Sequence, residues 1–85
     1  MPKQKDIELF RKTCKEVALE LRGNEYKFTG KKACPTHYLQ LPYQIIALNY
    51  FPYHKSVYKR ILFPASIIQL IAKKMDIYVT DIIRY

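Results

Sequence analysis

Between residues 26 and 75 the sequence contains no aspartate or glutamate, a stretch of 50 residues. Within it stand Lys27, Lys31, Lys32, Lys55, Lys59, Arg60, Lys73 and Lys74, while the rest of the chain carries seven basic and seven acidic residues and is neutral. The whole net charge of +8 therefore belongs to one continuous segment. Exclusion of acids over that length points to a polyanionic partner more directly than to solubility. Glycine is also scarce: two in 85 residues leave no Gly-rich loop to cradle a phosphate. Two cysteines, Cys14 and Cys34, are too few for a disulfide scaffold, so a reducing, cytoplasmic setting with free thiols is expected. No apolar stretch follows the N-terminal charges, and no secretory signal is expected. The longest charge-free run, residues 33–54, contains Pro35, Pro42, Pro52, Gln40, Gln44 and Asn49. Lipid would leave those polar groups unsatisfied, so the run is not a membrane span.

Eighty-five residues allow a single domain over 1–85, with a modest core that a partner, a second copy or a ligand would help to stabilise. The clearest element comes first. Ile7, Phe10, Cys14, Val17, Ala18 and Leu21 recur at steps of three and four and predict a helix over about residues 5–22. Asp6 and Glu8 suit its first turn, Arg22 its last, and Gly23-Asn24 its stop. Cys14 lies mid-stripe and reads as a small buried hydrophobe rather than a reactive thiol. Tyr26 and Phe28 alternate over 25–29, and 36–41 would return as a partner strand, giving a short β-hairpin over about 25–41. Pro35 and Pro42 bracket the second strand and restrict it to an edge.

After Pro42, the spacing of Tyr43, Ile46, Ala47 and Tyr50 predicts a short helix broken at Phe51-Pro52. A further helical turn or two is expected over 56–62, with Val57, Tyr58, Ile61 and Leu62 as its apolar side. Phe63-Pro64 breaks the chain again, and Ile67, Ile68, Leu70, Ile71, Ala72 and Met75 make the next helix the most buried.

Aromatic residues are interleaved with the basic ones: Tyr38, Tyr43, Tyr50, Tyr53 and Tyr58 share the acid-free segment. Tyrosine stacks on bases and donates to phosphate oxygens, so the mixture suits a nucleic-acid surface, although any single tyrosine equally suits a core rim. The densest cluster runs over 53–60, where a helix would put Lys55 and Lys59 on one face beside Tyr58 and Arg60. Lys31 and Lys32, on a turn, are a second candidate phosphate contact. Zinc is not favoured: Cys34 and His37 have ligand-like spacing, but Cys14 belongs to a helix stripe and His54 stands alone. Neither paired carboxylates nor a nucleophile–base pattern appears, and no catalytic residue, metal or cofactor is assigned.

Residues 69–85 resemble the helix-turn-helix of DNA-binding proteins. Ala72 stands where that motif needs a small residue, Ile71, Met75, Ile77, Ile82 and Tyr85 match its packing positions, and Asp76 occupies the turn, where a left-handed residue is usual. The resemblance implies that Tyr78, Thr80, Asp81 and Arg84 face the major groove and that Lys73 and Lys74 lie near the backbone. Against it, 77–85 is mostly β-branched or aromatic, a good strand composition.

The sequence therefore reads as a mainly α, small single domain with a C-terminal helix-turn-helix-like unit and a short β-hairpin. The alternative is α+β with a C-terminal strand. The function it favours is non-enzymatic nucleic-acid binding, DNA ahead of RNA, by a regulator or accessory factor that gains affinity as a homodimer. The rival is a compact basic inhibitor or adaptor for an acidic protein or a protein–nucleic-acid complex, and a weaker third is contact with anionic lipid. A C-terminal helix supports the regulator, and a strand there supports the adaptor.

Overall fold

A computed structural model describes residues 2–23, 36–51, 55–57 and 60–84. Among them the chain is mainly helical, with α1 (Gln4–Gly23), α2 (Leu41–Tyr50) and α3 (Ala65–Met75). The periodic stripe of α1 is its buried face: Phe10, Cys14 and Val17 are wholly inaccessible, and Ala18 joins them. Thr13 is buried there too, and its Oγ1 donates to the Leu9 carbonyl at 2.7 Å, so its hydroxyl is not left without a partner. Pro42 sits in the first turn of α2, where its missing N–H costs nothing. The helix stops at Phe51, which is extended as a residue before proline prefers to be. Tyr43 of α2 lies against Phe10 of α1, ring centroids 4.4 Å apart.

As its composition implies, α3 is the most heavily buried helix: Ile67, Ile68, Ile71, Ala72 and Met75 are all buried, while α1 is the helix that packs against both of the others. Burying isoleucines such as Ile68 and Ile71 contributes about 1.5–3 kcal/mol each. The helix ends on Asp76 in the left-handed conformation (φ 58°, ψ 45°). The N–H of Asp76 donates to the Lys73 carbonyl and that of Ile77 to the Ala72 carbonyl, at 3.2 and 3.1 Å, which closes a Schellman motif. The Lys74 Nζ lies 3.0 Å from Glu20 Oε2 and links the ends of α3 and α1 at the surface.

Four short strands, β1 (Thr36–Leu39), β2 (Lys55–Val57), β3 (Arg60–Pro64) and β4 (Ile83–Arg84), form an antiparallel sheet in the order β2-β3-β1-β4. Several expectations change here. Residues 55–57 and 60–64 form a hairpin of strands instead of helical turns. The apolar residues over 56–62 fit both periods, and pairing with β1 favours the extended one. The 36–39 strand is internal, not an edge: Pro35 and Pro42 fall outside its bounds and remove no ladder hydrogen bond. Its described partners are β3 and β4, while its expected partner at 25–29 lies outside the described residues.

The third change concerns the C-terminal segment. After Asp76 the second helix implied by the helix-turn-helix resemblance is replaced by a 3-10 turn, Val79–Asp81, and then β4. Asp81 Oδ2 accepts the Tyr78 N–H at 3.0 Å and holds the turn to one cycle. Ile82 and Ile83 are buried, as their β-branched side chains favour in a strand packed on a core. Gln40 fastens this segment to the β1–α2 junction: its Nε2 donates to the Asp81 carbonyl at 2.7 Å and its backbone N–H to the Ile82 carbonyl at 3.0 Å.

Candidate nucleic-acid interface

The alternation along each strand decides which residues share a face. Leu39, Phe63 and Ile83 are buried in the cluster formed with the three helices. Tyr38 and Arg84 are sequence neighbours of two of these and lie directly opposite each other across β1 and β4, so they occupy the other face of the sheet. Arg84 is exposed and Tyr38 half-buried. The register continues that row from Tyr38 to Leu62 in β3, and from Leu62 to Lys55 in β2. Arg60 enters two pairs further along, opposite Val57. At about 4.8 Å per strand, the positions of Arg84 and Lys55 are roughly 14 Å apart, with Tyr38 between them. The row thus runs Arg84, Tyr38, Leu62, Lys55, with an aromatic and an aliphatic position between two basic ones.

The other expected contacts fall into two groups. Lys73 and Lys74 are exposed in the last turn of α3; Lys74 is engaged with Glu20, whereas Lys73 meets no carboxylate among the described residues. Tyr78, 80% exposed, and Thr80 follow on the surface of the 3-10 turn. Asp81, which the helix-turn-helix resemblance aimed at the major groove, is turned back to the Tyr78 backbone. Lys31, Lys32, Tyr58 and Lys59 lie outside the described residues. The expected face shared by Lys55 and Lys59 on a helix does not form, because Lys55 begins β2. Arg84 and Lys55 are thus brought into one row by strand pairing that no local spacing reveals. Tyr38 was visible only as one of several tyrosines.

Comparison with family models, curated proteins and solved structures finds no match to this chain.

On another part of the surface a pocket of about 400 Å³ is lined by Asp6, Leu9, Gln40, Tyr43, Ile77 and Asp81, among others. Its carboxylates come from opposite ends of the sequence, one from the first turn of α1 and one from the 3-10 turn. Burial, and then the charges of Asp6 and Asp81, push the Tyr43 hydroxyl above the usual phenol range, so it stays protonated. Cys14, by contrast, belongs to the core: desolvation pushes its thiol up to about 12, which removes it as a nucleophile. Among the described residues no group of three or more His, Cys, Asp or Glu side chains is placed to hold a metal. Cys34 and His54 lie outside the described residues. No helix among the described residues is long and apolar enough to cross a membrane.

Proposed function

We propose that this chain is a small basic protein that binds nucleic acid without catalysis, as an accessory factor in the cytoplasm. The observation that carries the reading is the segregation of charge: 50 residues without an acid hold the whole net charge of +8. The sheet row of Arg84, Tyr38 and Lys55 supports it and refines the kind of partner. Tyrosine between cations suits an unpaired strand, whose bases stack on the ring while the cations meet phosphates. Single-stranded DNA is the proposed partner, ahead of RNA, and a homodimer would supply the affinity that one small surface lacks. Base reading by a helix in the major groove has no part in the proposal, since the segment after Asp76 forms no second helix.

A second reading is favoured by one observation, the C-terminal strand Ile83–Arg84. An α+β module with a basic sheet face also suits docking on an acidic protein surface. Fluorescence-anisotropy titrations against single-stranded DNA, duplex DNA, RNA and an acidic polypeptide, each at several salt concentrations, test both. Tightest binding to an unpaired nucleic acid, with a linear loss in log affinity against log salt, is expected. Binding to the acidic polypeptide alone would replace the first reading with the second.

A further inference from the structure

The charges of this chain leave one helix untouched. Helix α2, Leu41–Tyr50, contains no Lys, Arg, Asp or Glu, and it is apolar on two opposite sides. Tyr43, Ile46 and Ala47 form the side buried in the core. Leu41, Ile45 and Leu48 recur at steps of four and three on the other side, where Leu41 is 61% exposed, Ile45 58% exposed and Leu48 half-buried. A helix that is apolar all round belongs in an interior, so α2 has one face more than its own fold covers. The other large apolar side chains exposed among the described residues form no such stripe. Leu9 and Leu19 stand far apart on α1, beside Glu8 and Glu20, and Tyr78 lies at the 3-10 turn.

We propose that this stripe is the seam at which two copies of the chain associate. The absence of charge selects the occupant. An acidic protein or an anionic membrane would be met by Lys or Arg flanking the apolar stripe, and α2 offers none. The residues that flank the stripe are Gln44 and Asn49, neutral amides that bring no repulsion against an identical surface. Two chains of net charge +8 repel each other, and residues 33–54, which include α2, are the longest charge-free run in the sequence. Contact there brings like charges together least. With α2 antiparallel to its copy about a two-fold axis, Ile45 meets Ile45 on the axis and Leu41 meets Leu48 on either side. A helix face about 15 Å long and 10 Å wide is smaller than the roughly 800 Å² per partner of a stable complex, so the dimer is a reversible one. The inference gives the homodimer of the proposed function its surface; it rests on that reading only for the purpose of the dimer, since the association itself needs no nucleic acid.

The test is sedimentation equilibrium of the full chain without nucleic acid, at low and high salt, over a concentration series reaching about 0.5 mM, where weak interfaces associate. A monomer–dimer equilibrium that tightens as salt rises is expected, because screening weakens the repulsion between two +8 chains and leaves the apolar contact in place. That sign is the opposite of nucleic-acid binding, which salt weakens. Ile45→Lys should weaken the dimer roughly thirtyfold or more, the size of a central interface residue. Its melting temperature, taken where the wild type is monomeric, should be unchanged because the side chain is mostly exposed. Should that variant melt lower, Leu41→Gln, also exposed, decides with an expected several-fold loss. Leu19→Lys is the control: it is 59% exposed on α1 and should associate as the wild type does. A monomer at every concentration and salt, a dimer that loosens as salt rises, or equal losses from Leu19→Lys and Ile45→Lys would overturn the seam. A dimer that binds no nucleic acid upholds this inference and sinks the proposed function, and a monomer that binds it does the reverse.

Discussion

Tyr38→Leu and Arg84→Ala should weaken nucleic-acid binding in two distinguishable ways. Arg84 is exposed on the edge strand β4, so truncating it should alter stability by no more than about 0.5 kcal/mol. If it contacts one phosphate of an unpaired strand, its loss lowers the slope of log affinity against log salt by about 0.7, or about 0.9 on a duplex. Tyr38 carries no charge, so replacing it leaves the slope unaltered. What it removes is stacking, worth about 1–3 kcal/mol per base, or roughly 5- to 150-fold in dissociation constant. Lys3→Ala is the control, since Lys3 is exposed at the start of α1 and its loss removes the same charge away from the sheet. The assay is anisotropy on a labelled single-stranded oligonucleotide across a salt series, with a thermal melt of each variant to confirm folding. Equal effects from Arg84→Ala and Lys3→Ala would refute the sheet row as the contact. So would a Tyr38→Leu variant that changes the salt slope and leaves affinity intact.

Ile71→Asp should unfold the chain, because Ile71 is 1% exposed at the centre of α3 and an unpaired buried carboxylate costs several kcal/mol; circular dichroism with a cooperative wild-type-like melt would contradict this. Asp76→Gly should stabilise by about 1 kcal/mol, since glycine adopts the left-handed conformation freely and the change removes an acid from a helix C-terminus; denaturant titration checks it, and Asp76→Val should move the opposite way. Cys14 makes stability depend on alkaline pH. Burial pushes its thiol from the ordinary value of 9.0 up to about 12, so above about pH 9 the unfolded chain releases a proton that the folded one keeps. Its contribution is complete below pH 9 and is lost towards pH 12, at about 1.4 kcal/mol per pH unit, and a Cys14→Ala variant should show a correspondingly shallower alkaline fall.

The helices were legible because their signals are local. Steps of three and four define the buried stripe of α1, and Phe51-Pro52 and Phe63-Pro64 set the bounds of α2 and α3. The left-handed residue at Asp76 was expected through the helix-turn-helix resemblance, and it is present although the segment after it forms no second helix. The sheet was not, because its pairings join residues far apart in sequence: Tyr38 meets Leu62 on one side and Arg84 on the other. Over 56–62, and again over 77–85, β-branched and aromatic residues permit helix or strand, and pairing partners elsewhere decide between them. Alternation in strands then sets the candidate interface, so Arg84 enters it through strand pairing instead of a recognition helix, and Tyr38, one of five tyrosines in the acid-free segment, is singled out by the register alone. The pocket was invisible for the same cause: Asp6 and Asp81 stand at opposite ends of the sequence, and only the fold brings them together.

The internal position of β1 has a consequence for how the chain is made. Both strands that flank it, β3 and β4, follow it in the sequence and are synthesised after it. A growing chain therefore carries α1, which can form from local contacts, well before either edge of β1 can be paired. Until β4 arrives, β1 presents hydrogen-bonding groups and Leu39 to whatever is nearby. Closing the β1–β4 loop encloses more than 40 residues, a late and non-local step that should limit the refolding rate. Losing β4 would then do more than shorten the sheet: it would hold the chain in its most adhesive intermediate.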